Sequence, residues 1–344
     1  MIRRLLLLLL LMAILAGLGA REIQRRWEAP LAIPAGGFTL GVAAGETLRG
    51  VASRLHREGV LRHPRLLQAY GRWTGLDAQI KRGEYRLPAG ISAQELLLLL
   101  TEGKVIQYRV TLPEGITLAR ALALLDSREE LAPDLQGTGD ARIAALGLPH
   151  ESAEGLFFPD SYQFERGATD WQILQRAHAA MQEVLALEWA GRAEGLPYET
   201  PYEALIMASI IERETGLPEE RGQIAGVFVR RLLKGMRLQT DPTVIYGLGE
   251  SFDGNLRRAH LRDEGNPYNT YRHGGLPPTP IALPGRAAIH AALHPEPGEA
   301  LYFVARGDGG HVFSSTLEQH QQAVRKYQLR RREDYRSSPG TPKQ

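Results

Sequence analysis

The sequence of 344 residues contains no cysteine, which excludes a disulfide framework, thiolate metal sites, iron–sulfur clusters and a cysteine nucleophile. It also lacks an excess of charge of either sign, because 41 Lys and Arg stand against 39 Asp and Glu. A net charge of +2 gives no broad basic surface of the kind that neutralises several phosphates. We therefore expect no nucleic-acid partner.

Several catalytic motifs are missing as well. No P-loop and no G-x-G-x-x-G occurs, so nucleotide chemistry has no support. G-x-S-x-G, S-x-x-K and K-T-G are absent too, which argues against serine acyl transfer. His290 and His294 have the spacing of metal ligands on a helix, but the sequence shows no H-E-x-x-H and no third ligand near them. We expect neither a metal nor a cofactor.

One long apolar run is present, at the N-terminus. After two arginines, an uncharged and mostly leucine stretch extends from Leu5 to Ala20. It is slightly shorter than the ~20 residues that cross a hydrocarbon core of ~30 Å, so it fits a signal-peptide core or a short membrane anchor. Leu18 stands where a signal-peptidase site needs a small residue, which favours an uncleaved anchor over residues 1–21. The rest of the chain is then expected outside the cytoplasm.

The remaining chain divides by composition into four parts. Residues 22–37 mix charge, proline and glycine and are typical of a juxtamembrane linker. Between 38 and 130, a short strand, a Gly turn and a Ser or Thr helix cap recur three times, which predicts one or two small α+β modules. Longer helices and a loop rich in Pro and Gly, 265–285, predict a larger mixed α+β domain over 151–330. Residues 331–344 are a polar tail.

Capping patterns and periodicity predict the individual helices. Ser92 and Glu95 have the spacing of a capping box, and Thr47 and Thr117 precede similar helices. Near the C-terminus, a hairpin over 301–305 and 311–314 is followed by Ser315 and Glu318, which predict the cap of a closing helix that ends near Leu329. The other predicted helices cover 48–59, 93–102, 118–125, 171–187, 202–215 and 221–233.

Two glutamates near the end of an otherwise apolar helix are the residues of clearest chemical interest. On a helical period, Glu212 lies over small residues, which leaves room for a ligand beside its carboxyl. Partial burial would raise the pKa of Glu212 and keep the carboxyl protonated, as a general acid requires. The alternative is that Glu212 and Glu214 are both exposed, with Arg213 or Arg221 as an ion-pair partner.

Polar and aromatic side chains suited to binding a sugar occur in three further stretches. Asp241 before Pro242 has the form of an N-cap with proline at the first helical position. The candidates are Gln239, Asp241, Thr243 and Tyr246 around this helix start, Asn266, Tyr268, Asn269 and Tyr271 in the long loop, and Glu154 and Asp160 within EGLFFPDSY.

These segments resemble the endolytic murein transglycosylases of the YceG-like family. The resemblance covers residues 38–330 and is strongest in ASIIERETG, GMRLQTDPTVIYGLG, NPYNTY, GLPPTPIALPG and LYFVARGDGGHVFSSTLEQH, with EGLFFPDSY in support. The stretch AGETLRGVASRL resembles a LysM-type peptidoglycan-binding module. The single N-terminal span resembles the usual anchor of this family.

The resemblance implies an enzyme that cleaves nascent peptidoglycan strands between N-acetylmuramic acid and N-acetylglucosamine and leaves 1,6-anhydro ends. One carboxyl suffices, because the C6 hydroxyl of the sugar replaces water as the attacking group. The motif position implies Glu212 as this acid, with Glu214 as the fallback acid or a supporting partner. The residues implied to bind the substrate are Gln239, Asp241, Thr243, Tyr246, Asn269, Tyr271, Glu154 and Asp160.

The resemblance also implies partners and a location. We expect cell-wall synthases (penicillin-binding proteins) as partners, and a single-pass protein of the bacterial inner membrane with its catalytic domain on the periplasmic side. A competing hypothesis is a non-catalytic, membrane-anchored scaffold that binds peptidoglycan and positions synthases. A third is a muramidase in which water attacks in place of the C6 hydroxyl.

Overall fold

A computed structural model gives the structure of residues 2–135 and 152–329, and the predicted polar tail, 331–344, lies outside the described residues. Within these ranges the chain is a mixed α and β structure, as the sequence predicts. The α-helices are α1 (Ile2–Glu28), α2 (Leu48–Arg57), α3 (Pro64–Thr74), α4 (Ala93–Glu102), α5 (Leu118–Asp126), α6 (Asp170–Ala190), α7 (Pro201–Glu214), α8 (Arg221–Leu233), α9 (Asp241–Leu248), α10 (Arg258–Arg262), α11 (Arg286–Leu293) and α12 (Leu317–Val324).

The strands pair two by two. The strands are β1 (Phe38–Val42), β2 (Gly83–Leu87), β3 (Tyr108–Thr111), β4 (Ser161–Phe164), β5 (Tyr302–Ala305) and β6 (His311–Ser314), and the pairs are β1 with β2, β3 with β4 and β5 with β6. The β1–β2 pair is antiparallel, with Leu40 opposite Tyr85. The β5–β6 pair is the hairpin that the sequence predicts, with Phe303 opposite Phe313.

The chain folds as two compact units. The first contains Met1–Tyr108 and Gln163–Gly167, and the second contains Arg109–Tyr162 and Ala168–Gln344. Two of the three strand–turn–helix repeats lie in the first unit. The third repeat, with helix α5, lies in the second unit.

The predicted caps of the three repeats are confirmed. Thr47 and Thr117 each accept a hydrogen bond from the backbone N–H three residues later, at 3.2 and 3.3 Å. Ser92 and Glu95 form a complete capping box, in which the Ser92 hydroxyl accepts from the Glu95 N–H and the Glu95 carboxylate accepts from the Ser92 N–H. These hydrogen bonds satisfy donors that would otherwise lack partners at each helix start.

The core of the first unit includes residues that the sequence assigns to a linker. Residues 22–37 do not form a simple linker, because α1 continues to Glu28 and both Trp27 and Leu31 are buried in the core. The charges in this segment are compatible with a helix, since Glu22 pairs with arginines three and four residues later. Helix α1 ends shortly before Pro30, where proline disfavours helical backbone in the preceding residue.

Helix α1 is the one helix in the described ranges that is long and apolar enough to cross a membrane. Its leucine-rich part is exposed and packs against no core in the part of the chain that the structure describes. A helix of this kind close to the N-terminus is either a membrane anchor or a signal sequence, as the sequence predicts.

Helix α7 forms the centre of the second unit. Its residues from Ala204 to Ile211 are all buried, and it packs against α11, α8 and α6. Its start is fixed by a capping box between Thr200 and Glu203, with Pro201 at the first helical position. The C-terminal end of this rigid helix presents the two glutamates of interest.

One predicted cap lies next to these glutamates and is wrong by one residue. Asp241 is the first residue of α9, and Thr240 is the N-cap. The carboxylate of Asp241 accepts a hydrogen bond from the Tyr271 hydroxyl at 2.7 Å. The Asp241 side chain, which local spacing assigns to the cap, therefore makes a tertiary hydrogen bond with Tyr271 instead.

The closing helix also starts one residue later than predicted. Thr316 caps α12 and Gln319 completes the capping box, in place of Ser315 and Glu318. The α-helix ends at Val324 and a π-helix continues from Arg325 to Leu329.

Candidate active site

Glu212 and Glu214 lie on different sides of the last turn of α7. Side chains two residues apart on a helix diverge by about 200°. The Glu212 carboxylate accepts hydrogen bonds from the backbone N–H of Gly285 (2.9 Å) and from Arg221 (3.1 Å). Its side chain is only 6% exposed, so the alternative of an exposed glutamate is wrong for Glu212, although Arg221 is its ion-pair partner as that alternative predicts. Burial raises the pKa of Glu212, while the bonds from Gly285 and Arg221 oppose that rise.

Glu214 faces a cavity of about 740 Å³ in the second unit. The Thr240 hydroxyl donates a hydrogen bond to its carboxylate. Burial, together with the negative charge of Asp241, raises the pKa of Glu214 to about 7, against the opposing effects of the Thr240 bond and the positive charge of Arg231. A carboxyl in this state is partly protonated near neutral pH and can donate a proton into the cavity.

The cavity collects several of the residues that the sequence predicts to bind substrate. Gln239 and Asp241 are exposed, and Tyr271 is half-buried with its hydroxyl on Asp241. Gln239 has a φ of 53° and is the one non-glycine residue of the described chain with a left-handed backbone. Such backbone persists where the surroundings hold it, here through hydrogen bonds from Gln239 N–H and Thr240 N–H to Thr270.

Two predicted substrate-binding residues are buried away from the cavity. Thr243 has no exposed surface, and its hydroxyl bonds with Thr240 and Thr270. Asn269 is equally buried, and its amide donates to the carbonyl oxygens of His260 and Asp263 at 3.1 and 2.6 Å. Both side chains hold the loop in place and do not reach a ligand in the cavity.

Glu154 and Tyr246 form a separate pair within the second unit. The Tyr246 hydroxyl donates to the Glu154 carboxyl at 3.1 Å, and the backbone N–H of Leu118 donates to its other oxygen at 2.9 Å. Burial raises the pKa of Glu154 to about 7. Asp160, the remaining predicted residue, is exposed and accepts a hydrogen bond from the neighbouring Ser161 N–H.

The cavity also contains side chains that the sequence analysis does not single out. Arg231 is buried and donates to the carbonyl oxygens of Leu301 and Leu238, both at 2.7 Å. His311 hydrogen-bonds with the Glu220 carboxylate at 2.7 Å, and both side chains are nearly buried. Leu301 lies 70 residues from Arg231 and Glu220 lies 91 residues from His311, so no local spacing predicts these contacts. The signal that the sequence does contain is an arginine, Arg231, among the apolar residues of helix α8.

One group of side chains in the described part of the chain has the composition of a metal site. Glu188, on α6, supplies a third potential ligand beside His290 and His294, which corrects the expectation that none is near. The Glu188 carboxylate already pairs with Arg286 (2.9 Å) and His290 (2.7 Å), and the two imidazole rings stack at 4.2 Å. These contacts explain the group as an ion-pair cluster on the outside of α11.

The sequence profile described as the YceG-like family matches residues 40–326. A protein of Bacillus subtilis named endolytic murein transglycosylase is 30% identical over 307 residues, which is 84% of this chain and 84% of that protein. A Streptococcus pneumoniae protein of the same name is 27% identical and aligns with 83% of this chain, over 57% of its own length.

A solved structure agrees with the sequence comparison. The crystal structure of a YceG-like protein from Listeria monocytogenes aligns with a TM-score of 0.52 and 28% identity. The alignment covers 83% of this chain and 98% of that one.

Proposed function

The chain belongs to the YceG-like family, and from this we propose that it is an endolytic murein transglycosylase. Its substrate is the glycan strand of peptidoglycan, cut internally between N-acetylmuramic acid and N-acetylglucosamine. The observation that supports this chemistry is the carboxyl of Glu214, which lines the cavity and has a pKa raised to about 7. A lytic transglycosylase needs one such group, whereas an ordinary glycosidase uses two.

The reaction proceeds in two proton transfers through Glu214. The protonated carboxyl gives its proton to the glycosidic oxygen as the C1–O bond breaks. The C6 hydroxyl of the muramic acid then attacks C1 and returns its proton to the carboxylate. The bond formed is the 1,6-anhydro bridge, and the enzyme regains its starting protonation state without consuming water.

The surroundings of the two glutamates favour Glu214 over Glu212, although motif position alone suggests Glu212. Both oxygens of the Glu212 carboxylate accept hydrogen bonds, from Gly285 and Arg221, and these bonds stabilise the ionised form. Burial and the negative charge of Asp241 favour the protonated form of Glu214, and the hydrogen bond from the Thr240 hydroxyl only partly opposes them. An acid must be protonated and must reach the substrate, and the raised pKa and cavity position of Glu214 support its assignment to this role.

Three side chains of the cavity are suited to holding the sugar. Gln239 and Asp241 offer amide and carboxylate groups at the cavity surface, and Tyr271 orients Asp241 through its hydroxyl. The negative charge of Asp241 would also stabilise an oxocarbenium-like centre as the C1–O bond breaks. Tyr246, Glu154 and Asp160, which the resemblance also implies, do not line this cavity, and we assign them no contact with the sugar bound in it.

The location and partners are proposed on the same basis. Helix α1 anchors the chain as a single span in the bacterial inner membrane, with the rest on the periplasmic side. The strand–turn–helix repeats form LysM-like modules that contribute to peptidoglycan binding, and the Pro- and Gly-rich loop from 265 to 285 supports the cavity. Cell-wall synthases that produce nascent strands are the proposed protein partners.

The test is mass spectrometry of the products that the full chain, purified in detergent, releases from uncrosslinked glycan strands. We expect ends lighter by one water than hydrolytic ends, because the anhydro bridge excludes water. Glu214→Gln, which keeps the side-chain shape but cannot donate a proton in this way, should give no cleavage. Glu212→Gln serves as the matched variant and should give the same product more slowly. Thermal unfolding of each variant checks that it is folded.

Other results of this experiment would support other hypotheses. Full cleavage by Glu214→Gln would reject Glu214 as the acid, and loss of cleavage only in a folded Glu212→Gln would assign the role to Glu212. Reducing ends would indicate a hydrolase. Absence of cleavage by the unmodified chain would favour the non-catalytic scaffold.

A further inference from the structure

Helix α3 exposes a face of unusual composition. Its Leu67 and Gly71 point into the core of the first unit. Arg72 and Trp73 follow Arg65 by seven and eight residues, about two helical turns, which places the three exposed side chains together on the opposite face. We call these three residues, with Ala69 between them, the α3 outer face.

Trp73 is the most conspicuous member of this face. It is 82% exposed, more than any other large hydrophobic side chain in the described parts of the chain. The surrounding sequence from 59 to 76 has three arginines and a histidine but no Asp or Glu. Tryptophan combined with arginine is the composition typical of side chains at a membrane interface, where the ring lies among headgroups and the guanidinium meets lipid phosphate.

The α3 outer face is connected to the membrane span by aromatic contacts. Trp27, near the end of α1, packs on Tyr70 of α3 with ring centroids 4.3 Å apart. Tyr70 in turn contacts Trp73 at 5.9 Å. Helix α1 is continuous from its apolar part to Trp27, so this contact fixes α3 beside the end of the span.

The length of the span sets the height of α3 above the bilayer. Trp27 lies seven residues beyond Ala20, about 10 Å along the helix axis. The headgroup layer on each side of the hydrocarbon core is about 5–8 Å thick. The uncharged stretch Leu5–Ala20 extends for about 24 Å, less than the hydrocarbon thickness of about 30 Å, which draws the following turn toward the headgroups.

We propose that the α3 outer face lies in the headgroup layer of an anionic bilayer and holds the first unit against the membrane surface. Trp73 inserts among the headgroups, and Arg65 and Arg72 bind lipid phosphates. The inference rests on the proposed anchoring by α1.

The experiment uses the absence of cysteine, which allows single-cysteine labelling of the full chain reconstituted in lipid nanodiscs. A fluorescent label is placed at Trp73→Cys, at Leu10→Cys in the apolar part of α1, and at Leu317→Cys, an exposed position of the second unit. Quenching by brominated lipids and by a water-soluble quencher is measured in zwitterionic and in anionic nanodiscs. We expect the label at 73 to be quenched by lipid more than the label at 317 and less than the label at 10.

A charge-reversal variant separates the native surface from insertion of the label itself. Arg65→Glu with Arg72→Glu should abolish lipid quenching at position 73, with the largest loss in anionic nanodiscs. Arg49→Glu with Arg57→Glu, which reverses two exposed charges of helix α2, is the matched control and should leave the quenching unchanged.

The outcomes distinguish this inference from its premise. Lipid quenching at 10 together with full aqueous quenching at 73 would overturn the α3 contact and leave the anchor intact. Absence of lipid quenching at 10 would overturn the anchor and the α3 contact with it. Equal effects of the two charge reversals would also reject a specific α3 surface.

Discussion

Burial of Glu154 should make the stability of the chain depend on pH. The carboxyl accepts from the Leu118 N–H and the Tyr246 hydroxyl, and burial raises its pKa from 4.5 to about 7. Because the folded state then binds more protons than the unfolded state, stability falls as pH rises through the interval from 4.5 to about 7. At pH values below this interval the carboxyl is protonated in both states and the loss disappears.

The size of the effect follows from the shift. At 1.36 kcal/mol per pKa unit, a rise from 4.5 to about 7 gives an upper bound of roughly 3 kcal/mol at about pH 8. Glu154→Gln removes the ionisation, while its amide oxygen still accepts from Leu118 and its NH₂ group donates to Tyr246. We therefore expect the variant to be more stable than the unmodified chain by about 1–3 kcal/mol at alkaline pH, with no difference near pH 4.

The assay is unfolding of the full chain in detergent, followed by near-UV circular dichroism across this pH range. Glu183→Gln, which changes an exposed glutamate of the second unit, measures the effect of losing one carboxyl by itself. A stability difference for Glu154→Gln that stays constant with pH, or a variant that is less stable at alkaline pH, would refute the reasoning.

Three further predictions concern the proposed acid, one close backbone contact and the role of metals. The cleavage rate should fall about tenfold per pH unit above about 7, where Glu214 loses its proton. Asp241→Asn should move this fall to lower pH, because it removes a negative charge beside Glu214. A pH–rate profile with an unmoved midpoint would contradict this prediction. Gly155→Ala should destabilise the chain by about 2–4 kcal/mol in thermal unfolding, because the φ of Gly155 is +80° and the added Cβ would lie 2.4 Å from Pro280. Gly195→Ala is the control: its φ is +71° but the space around it is open, so only the backbone strain should destabilise the chain, by about 1–2 kcal/mol. Chelators should leave the rate of strand cleavage unchanged, since the proposed chemistry uses a carboxyl alone, and loss of activity restored by a divalent metal would reject that chemistry.

Local signals in the sequence predict much of the fold. Ser92 with Glu95 and Thr117 identify their helix starts correctly, because a cap depends only on neighbouring residues. The N-cap of α9 is predicted at Asp241, one residue too late, because the Asp241 side chain instead binds the Tyr271 hydroxyl from 30 residues away. The burial of Trp27 is not predicted for the same reason, since its partner Tyr70 lies beyond the reach of local patterns.

In the candidate site, too, local sequence predicts some features and tertiary packing decides the others. Composition and motif select Gln239, Asp241 and Tyr271, which share a cavity with Glu214. Periodicity places Glu212 and Glu214 on different faces but does not tell which face meets a cavity, because that depends on packing partners from distant segments. Thr243 and Asn269 have sugar-binding chemistry yet are buried, and only the tertiary structure separates these two uses of a polar side chain.

The last turn of α7 couples position to chemistry. Glu212 ties this turn to Gly285 and Arg221 on one side, so the carboxyl of Glu214 on the other side is held without any loop having to close. Damage to that tie would slow the reaction through misplacement, with the pH midpoint unchanged, whereas loss of the acid would remove the product. Screens that record only a reduced yield of cut strands would group both substitutions together. The pH profile is the property that tells the support from the proton donor.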